Sequence, residues 1–116
     1  MSCFEDLRVW QQARVVVREV GAIAEGMRDQ AGLGSQIRRA AISIASNIAE
    51  GAGRRHDRER RRFLDIARAS ADEVRAQLML ACDAGCIGQA EYERTHAQVV
   101  IVGKMLTRFI QHLDEP

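Results

Sequence analysis

Apolar residues recur along this chain at intervals of three and four, the spacing of one face of an α-helix. In residues 4–27, Val9, Ala13, Val16, Val17, Val20, Ala24 and Met27 share such a face, with Ser2 ahead of them as an N-cap. Gly32 and Gly34 break the pattern. It resumes with Ile37, Ala41, Ile44, Ala45 and Ile48, which predicts a second helix capped by Ser35, running to residue 50 and ended by Gly51 and Gly53. Phe63, Leu64, Ala67, Ala71, Val74, Leu78 and Ala81 predict a third helix over 57–84, ended by Gly85 and Gly88. Tyr92, Val99, Gly103, Leu106, Ile110 and Leu113 predict a fourth over 89–113. Helices of this length measure about 30–40 Å, and their short connections call for antiparallel neighbours. The expectation is an all-α chain, one domain over 1–116, folded as an antiparallel four-helix bundle.

The second helix threads polar residues through its centre. Gln36, Arg39, Ser43, Ser46, Asn47 and Glu50 fall opposite the isoleucines. Ser and Asn compete for backbone hydrogen bonds and are weak helix formers. The third helix is expected to face solvent with Asp65, Arg68 and Asp72, which are longer or charged. A face of Ser, Ser and Asn lets another backbone approach and can satisfy its polar groups, so a packed polar contact between helices or subunits is expected there. Two helices also carry apolar residues away from the core stripe: Ala69, Ala76 and Leu80 on the third, Ala97, Ile101 and Met105 on the fourth. Aligned outer rows of this kind predict self-association.

Composition agrees with helix. The single proline is residue 116, aromatics make up 4% of the chain, and Ala, Arg, Glu, Gln and Leu are abundant. Net charge is +1, but residues 54–62, RRHDRERRR, hold six arginines and two acids, so the positive charge is local. Lys104 is the only lysine. The arginine preference fits either phosphate recognition by the guanidinium fork or the codon usage of a GC-rich genome. Cys3, Cys82 and Cys86 are an odd number, which argues against a disulfide framework. No basic start precedes an apolar run, and no stretch approaches the ~20 apolar residues of a membrane span. A soluble cytosolic protein with no membrane partner is expected.

The blocks FEDLRVWQQA, QIRRAAISIASNIAEGAGR and RFLDIARASADEV resemble the 23S rRNA intervening-sequence protein family, also called the four-helix-bundle protein family. The matching positions include Phe4, Leu7, Trp10, Gln36, Arg38, Arg39, Ser43, Asn47, Glu50, Gly51, Phe63 and Glu73, and the resemblance extends over essentially the whole chain. It departs from the family pattern at Ala69-Ser70, where a glycine often precedes the serine, and in the first connection, which often carries a proline. The resemblance implies a helical bundle assembled into a ring, a homopentamer. It also implies an accessory role beside nucleic acid, RNA or DNA, and in some relatives beside a reverse transcriptase. It brings no catalytic residues and no cofactor.

Candidate chemistry centres on Arg54, Arg55, Arg58, Arg60, Arg61 and Arg62 at the junction of the second and third helices, with Arg38 and Arg39 on the helix before. Such a cluster contacts phosphates electrostatically and without base preference. The alternative is a solvated junction in which Arg58 and Arg62 pair with Asp57, Glu59 or Asp65. No aromatic residue is interleaved, so no base-stacking platform is expected. ERTH at 93–96 matches one Glu-x-x-His element of a di-iron bundle, which requires two. Cys82 and Cys86 lack the further ligands of a zinc site and are expected to be buried apolar residues. GLGSQ precedes a helix N-terminus, where an anion can bind, but its glycines are expected only to make the turn. No nucleophile–base pattern is present, so neither an enzyme nor a metal protein is expected.

Overall fold

The computed structural model describes residues 3–27 and 32–114; the expected Ser2 cap lies outside them. Among these residues there are four α-helices and no strand: α1 (Arg8–Gly26), α2 (Leu33–Ala52), α3 (Asp57–Asp83) and α4 (Gln89–Asp114). Each helix packs on two neighbours, in the cyclic order α1, α2, α3, α4 and back to α1. The molecule is elongated, 47 × 22 × 19 Å, as the ~40 Å length of a 27-residue helix requires.

The predicted start of the first helix moves. Phe4–Asp6 form a short 3₁₀ turn, and Leu7 is extended at φ −74°, ψ 127° before α1 begins. The turn folds the Phe4 ring edge-on to Trp10 at 4.9 Å and lets the Glu5 carbonyl accept a 2.6 Å bond from Gln11 Nε2. These contacts replace the first turn of a continuous helix.

Both ends of the second helix also differ from expectation. Gly32 holds the position before α2 in the left-handed region, φ 72°, and its carbonyl accepts the bond from Gln36 N at 3.0 Å. Ser35 therefore sits exposed inside the helix and caps nothing, and Gly34 is buried within it. At the other end α2 runs through Gly51 to Ala52. The third helix stops as predicted at Gly85, which adopts φ 75°. Cys86 N donates to Ala81 O at 2.8 Å and Gly85 N to Cys82 O at 3.0 Å, a Schellman motif that satisfies two carbonyls left open at the helix end.

The core is one cluster of apolar side chains from all four helices. Ile37, Ile44, Ile48, Leu64, Leu78 and Leu106 are its largest fully buried members. Burying each stabilises the fold by about 1.5–3 kcal/mol before entropy is counted. Val17, Ala24, Ala45, Phe63, Tyr92, Gly103 and Leu113, expected in the stripes, are only partly buried. The apolar stripes also omitted Ile23, Ala40 and Val102, and the buried polar residues Ser70, Gln77 and Thr95.

Candidate nucleic-acid interface

The α2–α3 corner is built on a close approach. A β-carbon placed on Gly51 would meet Phe63 Cβ at 3.2 Å and the Arg60 carbonyl at 3.3 Å. Glycine lets the end of α2 lie this near the first turns of α3 without either helix giving way. The arginines that follow divide into two groups. Arg54 pairs with Glu50 at 2.8 Å and lays its guanidinium 4.7 Å from the centre of the Phe63 ring. Arg60 donates from Nε to the Arg54 carbonyl at 2.8 Å and pairs with Asp57 at 3.1 Å. Arg61 pairs with Asp65 at 3.7 Å and with Asp114 at the far end of α4. These three brace the corner, each ion pair adding about 0–1 kcal/mol at such exposure.

Arg55, Arg58 and Arg62 are exposed and form no ion pair among the described residues. In place of the alternative pairings of Arg58 and Arg62, Asp57 and Asp65 pair with Arg60 and Arg61; Arg58 is next to Asp57 and Glu59 in sequence, and adjacent helical residues do not face each other. Arg38 and Arg39 stand apart from the corner. Arg39 is twelve residues before Gly51, about 18 Å along the helix. Arg38 Nη2 donates across to the Gly21 carbonyl of α1 at 3.2 Å.

The polar face of α2 divides as well. Ser43 Oγ lies 2.8 Å from Ser70 Oγ on α3, and Asn47 Nδ2 donates to the Ser43 carbonyl at 2.8 Å and to its Oγ at 3.1 Å. These small side chains line the α2–α3 seam. Ser46 and Glu50 instead border a hollow shared with Phe4, Ala49, Gly53 and Arg54, and Gln36 and Arg39 are exposed. Asp65 and Arg68 do not form an ordinary solvent face on α3, since both are half-buried, and Arg68 and Asp72 border a groove towards α4.

Ala69, Ala76, Leu80, Ala97 and Ile101 are exposed, and Met105 is half-buried. Leu80 is the most open of the large apolar residues, at 59%. The two rows do not meet across the α3–α4 seam: Ile101 and Met105 border its groove, whereas α3 contributes Arg68, Ala71, Asp72 and Arg75 there. Ile42, Ile66 and Met79 are further exposed apolar residues that the two rows omit; Ile66 and Met79 stand three residues from Ala69 and Ala76 and widen the row on α3.

Cys82 and Cys86 are half-buried rather than buried, and both are free thiols. They sit at the helix end, where Cys82 Sγ lies 3.4 Å from Gln89 Oε1. Among the described residues no three His, Cys, Asp or Glu side chains converge as a metal site would require, and no helix is long and apolar enough to cross a membrane. His96 of the ERTH segment packs against the Tyr92 ring, centroids 5.2 Å apart, and accepts from Arg75 Nε at 3.4 Å. Burial, and then the Arg75 charge, lower its pKa from the ordinary histidine value, which favours the neutral imidazole that accepts that bond.

A crystal structure of a protein of unknown function from the S23 ribosomal protein family of Bacteroides thetaiotaomicron VPI-5482 superimposes with a TM-score of 0.82. It is 21% identical over 88% of this chain and 97% of that one, so the likeness is one of fold. No curated protein matches this chain. The 23S rRNA-intervening sequence protein family matches residues 5–108, which span both α2 and the arginine corner. The chain belongs to the 23S rRNA-intervening sequence protein family.

Proposed function

We propose that this chain is a non-enzymatic, cytoplasmic four-helix protein that binds nucleic-acid phosphates through the α2–α3 corner. The observation that carries the reading is the division of the arginines. Arg55, Arg58 and Arg62 are exposed and unpaired among the described residues, on a corner that Arg54, Arg60 and Arg61 hold rigid. Unpaired guanidinium groups keep their full attraction for phosphate, and a braced corner loses little conformational entropy on binding. The family's association with an intervening sequence of 23S rRNA makes RNA the first ligand to test.

The accompanying reading is an antiparallel bundle assembled as a ring, a homopentamer, in which the corner would repeat around one rim. Gly51 meets Phe63 while Ser43 meets Ser70, and Arg61 meets Asp114 while Arg75 meets His96, successions that support opposed neighbours, and exposed Leu80 and Ile101 support an interface. Light scattering on a sizing column should give several subunits, and Leu80→Asp or Ile101→Asp should shift them towards monomer. A clean monomer at micromolar concentration would remove the assembly.

The test of binding is fluorescence anisotropy with labelled RNA and DNA between 50 and 200 mM salt. Three phosphate contacts per chain predict a roughly 20- to 40-fold loss of affinity over that range. Arg55→Ala/Arg58→Ala/Arg62→Ala should abolish the salt-dependent component while preserving helicity. Unchanged binding by the variant, or none by the parent at 50 mM salt, rejects the reading. The second reading is a scaffold that docks a protein such as a reverse transcriptase without touching nucleic acid, favoured by the exposed Ile66 and Leu80. It predicts a stable complex between the purified pair that survives the same triple substitution.

A further inference from the structure

The α3–α4 seam opens into a groove of about 710 Å³, within the range of pockets that hold one small ligand. Gly103 creates part of the opening: a β-carbon built there meets nothing within 4 Å. Its apolar surface is presented by Val100, Ile101 and Met105, with Ala71 and Val99 buried beneath them. The rim carries four cations, Arg68, Arg75, Lys104 and Arg108, against one carboxylate, Asp72. Arg68 and Arg75 are held loosely, by Asp65 and Asp72 at 3.5 Å each. Lys104 and Arg108 form no ion pair or hydrogen bond among the described residues.

Cations without counter-charges beside an apolar floor select a ligand with an anionic head and an apolar body. A nucleic-acid strand fits less well, because a phosphate backbone would leave the apolar surface between the cations uncovered. We infer that the Gly103 groove binds a small amphipathic anion, an aliphatic or aromatic carboxylate, sulfonate or phosphate, with its body on Val100 and Met105 and its head on Lys104 and Arg108. This site lies on a different helix pair from the arginine corner and is independent of the phosphate-binding reading, but Ile101 and Met105 on its border are shared with the proposed self-association surface, so a ligand here competes with a neighbouring copy.

The probe is 1-anilinonaphthalene-8-sulfonate, followed by fluorescence on the full chain, with displacement by competitors below their micelle concentrations. Decanoate should displace it. Decyltrimethylammonium, with the same tail and opposite charge, should not, and neither should inorganic phosphate, a head without a body. Lys104→Glu/Arg108→Glu should weaken probe binding at least about tenfold, the effect of removing head-group attraction. Gly103→Leu should block it by filling the groove, at a helical position that favours leucine over glycine. Circular dichroism checks the fold of both variants, and Arg55→Ala/Arg58→Ala/Arg62→Ala should bind the probe normally. Absence of saturable binding, equal binding by the charge-reversed variant, or equal displacement by the cationic amphiphile overturns the proposal. So does a Gly103→Leu protein that keeps binding but changes its subunit number, which would identify the groove as the seat of another copy.

Discussion

Gly51→Val is expected to destabilise the protein by about 3 kcal/mol, the upper part of the cost of overpacking. Two of the atoms that its side chain would strike cannot yield by changing rotamer: the Phe63 β-carbon at 3.2 Å and the Arg60 carbonyl oxygen at 3.3 Å. Relief requires α2 and α3 to separate, which would loosen the Ser43–Ser70 contact and the buried Leu64 beside it. Urea denaturation should show the loss as a lower midpoint with an unchanged slope. Gly51→Ala adds only the β-carbon and should cost less, because helix propensity offsets part of the clash. A Gly51→Val protein as stable as the parent would mean that the two helices are not held this close.

Ile44→Ala is expected to lose about 3–4 kcal/mol, within the 2–5 kcal/mol of large-to-small core substitutions. Ile44 is fully buried at the middle of α2. Its side chain belongs to the single core cluster shared by the four helices, so truncation leaves a cavity there. Proteins of this size have only about 6–15 kcal/mol of stability, and each lost kcal/mol lowers Tm by about 4 °C. Ile42→Ala, two residues away and 46% exposed, should change the stability by no more than about 0.5 kcal/mol. The contrast tests the rotational phase of α2 directly: equal losses at the two positions would misplace its buried face.

Much of the fold was legible in the spacing of apolar residues. Helical periodicity is a local property of the chain, and it placed Val16, Ile44, Leu78 and Leu106 in the core, where they are fully buried. It was weaker at helix ends. Ser35 looks like a cap because serine usually is one, yet Gly32 takes the left-handed backbone three residues earlier, and α2 starts directly after it. Apolar spacing also passes over buried polar residues. Ser70 is buried because Ser43 on another helix meets its hydroxyl, and no pattern within α3 carries that information.

The candidate site was legible as composition and illegible as arrangement. RRHDRERRR announces a basic patch. Which arginines remain open depends on partners distant along the chain, such as Asp114, fifty-three residues beyond Arg61. The same holds for the glycines. Gly51 and Gly103 look alike in sequence, one read as a helix stop and the other as part of a core stripe. Packing makes Gly51 a contact against Phe63 and Gly103 an opening between α3 and α4. Helix identity and the buried face of each helix come from interactions a few residues apart, which the linear pattern contains. The free charges, the seam hydroxyls and the groove come from side chains brought together by helix packing, and their positions exist only once the four helices have closed on one another.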